Sequence, residues 1–398
     1  MALAQAFQGV LAANQPIPAG LDGGRLALIA LKGNMTYQQV RAIIGAGAQS
    51  FNEELITATG DLFYPTTDPA VIYANGGTLP DMEVTSGGAR PSLIRANIIG
   101  HMIDRQVFTY AIGGDWRAFE DMAPENIYAD VRAGSQMARN RWEKSILTRM
   151  LNHNENALGT APGYDVGWCD GSTLDGSTPG LQYAPPQVQG QVFLSTHQHY
   201  TAYDSTQTNP ATSALYTFYD ALNLTAKNIS EHGVPGPYKA YVSEASVSTI
   251  ALLSQYVRYV RLSQVQIDRG GSTTGAQYFR DGEYGATPMM GGRPVGSIQT
   301  DYGEVELLAT YRIPAGYFTM YRPGPQGNQM NALAIWYRPS FGLGLKILEK
   351  PDWNSTFPLA EVDLELEFGV SCGNSRFAGA AAWFSSGNGG TYLNPTIS

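Results

Sequence analysis

The chain has 398 residues and a mass of 42.9 kDa, room for two or three domains at roughly 150 residues each or for one elaborated architecture. Charged residues make up 15% against about 25% in an average soluble domain, while 45 Gly and 23 Tyr are high, so much of the surface has to be neutral, glycine-bearing or aromatic and suited to large contacts. A net charge of −9 with pI near 5.1 disfavours a sequence-reading nucleic-acid binder, and the lack of any run of about eighteen apolar residues excludes an ordinary transmembrane helix.

Residues 1 to about 33 mix Gln, Pro and Gly with short apolar pieces and no stable period, which predicts an extended arm that packs on something else. From Thr36 a helical pattern runs through Val40, Ile43, Ile44, Ala48 and Phe51 to about Leu55, with Gly45 and Gly47 placed for close helix packing. Residues 60–92 read as extended and turn-rich, punctuated by Pro65, Pro69, Gly76, Gly77, Pro80, Gly87, Gly88 and Pro91. Two strand-like runs follow, Leu93–Ile99 and Gln106–Ile112.

The best-marked helix spans 124–151. Pro124 suits its first position, Glu125 and Glu143 a solvated face, and Ile127, Val131, Ala138, Trp142 and Ile146 recur every three or four residues. At 1.5 Å per residue it is a strut of about 40 Å. Residues 152–210 are rich in Gly, Ser, Thr, Gln and Pro and predict a long irregular connection, unusual inside a compact monomer. Ala214–Ile229 reads as an amphipathic helix with Leu215, Phe218, Leu222 and Ala226 on one stripe, Lys239–Ser243 as a short strand and Glu244–Val257 as another helix.

After Pro294 the pattern is β: Ser297–Thr300, Val305–Tyr311, Tyr317–Tyr321, Ala332–Tyr337 and Leu343–Leu348 are short strands divided by Gly, Pro and Asn turns. In the segment Glu361 to Phe368, Glu361, Asp363, Glu365 and Glu367 alternate with Val362, Leu364, Leu366 and Phe368, the two-residue period of a half-buried strand. Its apolar face and the Trp142 stripe each need a partner, and the expectation is that they meet, with Trp142 on Val362, Leu364 and Leu366.

Chemistry-bearing motifs are scarce. There is no nucleophile elbow, phosphate loop, His-Glu-x-x-His or dinucleotide fingerprint, and no catalytic, cofactor-binding or metal residue is assigned. Cys169 and Cys372 support neither a disulfide framework nor zinc spacing, and a reducing cytosol is the simplest place of synthesis. Met1–Val10 carries no Lys or Arg before its apolar residues, so no secretory signal is expected, and the Asn-x-Ser/Thr triplets at Asn34, Asn223, Asn228 and Asn354 read as chance matches.

His197 and His199 would place two rings on one face of a strand, a common arrangement for a metal. The pair has no Asp, Glu or Cys close by in sequence, so it reads as hydrogen-bonded loop histidines. His153, between Asn152 and Asn154, suits the carbonyl end of the long helix. Same-face strand residues stand about 6.6–7 Å apart, too far for adjacent members of the 361–367 carboxylates to share a small cation, so that face reads as solvated or paired with arginine. Four like charges in a row do favour a basic partner.

The order of these elements resembles the Hong Kong 97 fold of tailed-bacteriophage major capsid proteins. Leu93 to His101 followed by Asp104 to Val107 look like the returning arm of its extended E-loop, and Pro124–Leu151 like its spine helix. Val295–Pro323 and Glu361–Trp383, with Ser371 to Ala378, look like A-domain strands and the closing strands of the P-domain.

The resemblance implies an α+β capsid fold: an N-terminal arm (1–35), an N-terminal helix (36–59), an E-loop hairpin with its return strand (60–112), a spine-helix P-domain with the long connection (113–210), a central A-domain (211–330), and an exit with closing strands and tail (331–398). It further implies a non-enzymatic shell subunit without cofactors that assembles with itself as pentamers and hexamers, beside a portal and, where present, scaffold or decoration proteins. The shell would enclose double-stranded DNA without sequence-specific contact and touch no membrane, in a virion made in host cytoplasm. Broad, weakly charged contacts fit such tiling, because many modest interfaces add up in a closed assembly.

Some relatives cross-link the E-loop by a Lys–Asn isopeptide bond. The lysines here are Lys32, Lys144, Lys227, Lys239, Lys346 and Lys350, none within 60–112, so closure is expected to be non-covalent. The long charged N-terminal segment that serves some relatives as a fused scaffold is also lacking. In the family the hairpin overlies a neighbour's peripheral domain, which makes Arg90, Arg95 and Arg105 against Glu361, Asp363, Glu365 and Glu367 the candidate subunit contacts. Two other readings stay open: an encapsulin-type shell around a cargo enzyme, and an acidic β-rich carbohydrate-active enzyme or binding protein. The latter needs two convergent carboxylates about 5–9.5 Å apart, and no local grouping selects a pair.

Overall fold

The computed structural model describes residues 45–53, 55, 60–74, 98–115, 124–154, 166–168, 188, 191, 193, 197–258, 292–349 and 359–397. The arm, most of the E-loop candidate, Arg90, Arg95 and the side chains of Ile127, Glu361 and Val362 lie outside the described residues. Two compact units are formed, one from Met1–Phe51, Thr109–Met137 and Leu345–Glu365, the other from Asn52–Phe108, Ala138–Gly344 and Leu366–Ser398. No helix among the described residues is long and apolar enough to cross a membrane.

In the smaller unit, helical residues 45–53 (α1) meet the first part of α2, Pro124–Leu151. The contact is made possible by Gly47, where a Cβ would stand 2.6 Å from Val131 Cγ1. Farther along the helix, Gly134 lies under Leu364 and Tyr110, each 3.0 Å from a Cβ built there. Leu364 belongs to the fourteen-residue strand β13, Leu359–Cys372, and Leu345–Glu349 (β12) pairs with it.

The larger unit contains a seven-stranded mixed sheet in the order β5-β14-β10-β6-β9-β8-β7, formed by Tyr200–Asp204 (β5), Tyr238–Ser243 (β6), Tyr256–Arg258 (β7), Arg293–Thr300 (β8), Gly303–Thr310 (β9), Tyr317–Tyr321 (β10) and Gly379–Ser385 (β14). Its centre is buried on both faces: all five residues of β10 lie inside. Helix α3, Phe218–Ser230, covers one face, with Phe218 5.4 Å from the Phe318 ring and 5.5 Å from that of Phe384. The helix begins later than the periodicity predicts. Thr217 and Asp220 form a reciprocal capping box that fixes its first turn, and Leu215 is left exposed in a β-bridge with Thr208.

Residues 244–257, expected as one helix, supply only a single helical turn, Val247–Ile250 (α4), preceded by a 3-10 turn and followed by β7. Strand β5 lies in the stretch whose composition predicts an irregular connection. It is held in parallel register to β14, Ala381 opposite Tyr200 through Ser385 opposite Asp204, so a distant strand supplies the order that local sequence lacks.

Around the second sheet of this unit, Phe63–Thr66 (β1) runs parallel to Leu333–Trp336 (β11), which pairs antiparallel with the last residues of β13, Leu333 opposite Cys372 through Trp336 opposite Gly369. Gln106–Asp115 (β4) also pairs with β13. Ala70–Ala74 (β2) and Ile98–Met102 (β3) form an antiparallel ladder that starts at Ala70 opposite Met102 and ends at Ala74 opposite Ile98. Val71 and Ile103 at its base sit in a cluster with Tyr64 and Ala334, flanked by Trp336 and Phe377. The C-terminal tail is tied to the end of α2, Tyr392 donating to the Leu151 carbonyl at 2.6 Å and the His153 amide to Asn394 Oδ1 at 2.9 Å.

Candidate functional site

The apolar stripe of α2 is buried where it is described: Val131, Ala138, Trp142 and Ile146 all lie inside. Trp142 is fully enclosed, 4.6 Å from the Phe368 ring and edge-on to Phe63 at 5.7 Å. The helix therefore meets the expected face of β13, at Phe368 for Trp142, while Leu364 packs at Gly134. A buried tryptophan of this kind contributes about 3–5 kcal/mol relative to alanine.

Glu143, expected on a solvated face, is buried. Arg312 donates through Nε to its Oε2 at 2.6 Å and through Nη2 to Asn140 Oδ1 at 2.5 Å. Burial raises the Glu143 pKa, and the Arg312 hydrogen bond and charge pull against that rise. The helix end also differs from expectation: the buried Arg149 donates to the carbonyls of Asn152 (2.5 Å) and Asn154 (2.9 Å), while the His153 ring lies against Tyr200 and Tyr392. A guanidinium with its fixed fork satisfies two terminal carbonyls where one imidazole could serve only one.

The acidic face of β13 is not a free, solvated row. Glu367 is 2% exposed and forms ion pairs inside its own chain with Arg105 and, at 3.4 Å, with Arg338. Arg105 in turn lies 5.7 Å from the centre of the Trp336 ring, whose Nε1 donates to the Thr67 carbonyl. Asp363 is buried, Glu365 half-buried, and neither lacks an interaction partner. Two residues marked as candidate subunit contacts thus meet within the subunit. Arg338, 29 positions before Glu367, has no local sequence signal that singles it out.

The histidine pair is hydrogen-bonded as expected, but it lies inside the fold. His199 is fully buried and its Nδ1 stands 2.6 Å from the Gly379 carbonyl, while His232, two residues beyond α3, joins His197 and His199. Their Nε2 atoms form a triangle with edges of 3.2 Å (His197–His199), 2.9 Å (His199–His232) and 3.0 Å (His232–His197). Phe193 lies over the cluster, 4.1 Å from the His232 ring and 5.1 Å from that of His197. Sequence spacing revealed the pair but not the third ring.

No family model matches the chain, and no curated protein does. Among solved structures, one from Mycobacterium phage Patience matches 95% of this chain and 97% of its own at 17% identity, with a TM-score of 0.56. The asymmetric unit of the bacteriophage PhiM1 mature capsid (13% identity, TM-score 0.44) and the capsid of a native GTA particle (11%, 0.42) also match, over 82% and 83% of this chain and 86% and 91% of theirs.

The chain shares its fold with the Mycobacterium phage Patience structure. Within this fold the long helix, the paired strand β13 and the mixed sheet are all present as elements, and the site residues named from sequence whose side chains are described fall into two groups. Val131, Ala138, Trp142, Ile146, Arg105 and Glu367 act inside the subunit; Asp363 and Glu365 lie on the same strand as Glu367.

Proposed function

We propose that this chain is a major capsid protein, a non-enzymatic subunit that assembles as pentamers and hexamers into a closed shell around double-stranded DNA. The observation that carries this reading is the match over nearly the full length of both chains to the Mycobacterium phage Patience structure. The surface supports it: Ile72, Leu252, Tyr311 and Met330 are large apolar or aromatic side chains with more than half their area exposed, the kind of surface that lateral contacts between copies would cover.

In this reading β2 and β3 are the base of the E-loop, with 75–97 as its reach, α2 the spine of the P-domain, and the seven-stranded sheet the core of the A-domain. Arg90 and Arg95 are then the basic residues that extend toward a neighbouring subunit, and the Glu361–Glu365 part of β13 is their proposed acidic partner. Exposed pairs contribute only about 0–1 kcal/mol each, but repetition around a shell multiplies them. Electron microscopy of the chain expressed alone and beside its genomic neighbours is the test. Closed shells containing DNA support the proposal, shells containing an enzyme identify a cellular compartment instead, and a 42.9 kDa species under all conditions overturns it.

A further inference from the structure

We propose that His197, His199 and His232 form a binding site for a first-row divalent transition metal, Zn(II) above all, that clips the segment before β5 to the end of α3. Three imidazole nitrogens from two separate parts of the chain converge on one point, each within 3.2 Å of the other two. Nothing in the capsid reading requires this cluster, and the inference does not rest on that reading.

The proton arrangement carries the argument. A backbone carbonyl only accepts, so the 2.6 Å contact from His199 Nδ1 to the Gly379 oxygen places the proton on Nδ1 and leaves Nε2 with a bare lone pair aimed into the triangle. Each of the three Nε2 atoms carries either a proton or a lone pair in the ring plane. With two kinds of atom at three corners, at least one edge must join two donors or two acceptors at about 3 Å, an arrangement that costs free energy in a buried site. Charging the cluster does not relieve it. A proton added to a second corner would set two donors against each other at about 3 Å with a positive charge inside the fold.

A cation at the centre removes the conflict, since it accepts all three lone pairs at once. Nitrogens bound at about 2.0–2.1 Å to a tetrahedral zinc are roughly 3.3 Å apart, so the triangle has to open by only a few tenths of an ångström. Neutral imidazoles with no carboxylate or thiolate select Zn, Cu, Ni or Co over Ca or Mg, which prefer oxygen. The Nδ1–H of His199, donated to the Gly379 carbonyl, fixes the tautomer and orientation of that ring as a ligand.

Among the described residues the buried His232 Nδ1 has no hydrogen-bond partner to give it that support. His197 is half-buried, and a water reaching the metal beside it would be the fourth ligand. Because the three rings bridge chain segments 33 residues apart, binding energy becomes folding energy and ties down the segment around Phe193.

The test is calorimetric titration of chelator-stripped, full-length protein with ZnCl₂ alone, followed by Co(II) loading read by visible absorption. One saturable Zn(II) per chain, a rise in Tm on saturation and the ligand-field bands of a four-coordinate nitrogen-rich Co(II) site are expected. His197→Gln, chosen because its ring reaches the surface, and His232→Gln should each weaken binding by about tenfold or more, whereas His153→Gln, outside the cluster, should not. If His232→Gln does not fold, His197→Gln and the wild-type Co(II) spectrum still decide. Absence of saturable binding by wild type, or binding unchanged in His197→Gln, overturns the site.

Discussion

His101 on β3 is enclosed, with its Nε2 2.9 Å from the Ser371 hydroxyl oxygen. Burial first, then the positive charges of Arg376 and Arg149, push its pKa down to about 3. An unfolded histidine titrates near 6.5, so above that pH neither state is charged and the contribution to stability is whole. As the pH falls from about 6.5 toward 3, the unfolded chain takes up a proton that the fold refuses, and stability is lost. His101→Gln should flatten the dependence of Tm on pH across that window relative to wild type; an unchanged slope would show that the ring is charged in the fold. Glu367 makes a second prediction at this scale. Glu367→Gln leaves Arg105 and Arg338 facing a neutral amide, and because both arginines reach solvent the expected loss is about 1–3 kcal/mol rather than the roughly 3–5 of a fully buried pair. Urea denaturation of the unassembled subunit measures it, and a midpoint equal to wild type refutes the pairing.

Between α1 and α2 the deciding position is Gly47. Replacing a helix-interior glycine by alanine ordinarily gains about 1 kcal/mol in helix propensity. Here the new Cβ would stand 2.6 Å from Val131 Cγ1, and a β-branched side chain held in a helix has little rotamer freedom with which to yield. Overpacking costs about 1–3 kcal/mol, so the clash outweighs the propensity gain and Gly47→Ala should be destabilising. Adding Val131→Ala removes the colliding methyl, and the double variant should recover part of the loss. A Gly47→Ala protein more stable than wild type would show that the two helices do not approach at this glycine. The same logic of close approach explains Gly379, where a Cβ would fall 2.6 Å from the Trp168 ring and displace the carbonyl that orients His199.

For the whole molecule, the proposed shell has to close without covalent links. Isopeptide formation needs an amine, and none of the six lysines lies within 60–112, so denatured particles should run as monomers of 42.9 kDa on a gel. Ladders of covalent multimers would contradict either the placement of the E-loop or its chemistry. The subunit contacts proposed for Arg95 are tested by charge exchange. Arg95→Glu should impair assembly at low salt while leaving the subunit folded, and Glu365→Arg in the same chain should partly restore it. A double variant no better than the single ones removes this pairing, and restoration that survives high salt points to a contact more buried than an exposed pair.

The sequence by itself determined the elements whose own residues carry a strong period or a stop signal. Pro124 and the Val131, Ala138, Trp142, Ile146 stripe define α2 from Pro124 to Leu151, and turn-bounded β runs recover β9, β10, β11 and β13 within a residue or a few. The alternation in β13 also foretold which face meets the long helix, because even-numbered side chains of a strand share one side. Where the reading failed, the cause was a partner distant in the chain. Strand β5 is ordered by β14, about 180 residues away, Glu143 is drawn inside by Arg312, and Glu367 finds its arginines, Arg105 and Arg338, in its own chain. Likewise the third histidine becomes a neighbour of the first two only once α3 has packed on the sheet. Local sequence sets torsional preference and periodicity; pairing of charges, burial of polar groups and convergence of ligands depend on which surfaces the fold brings together, and only the tertiary structure decides that.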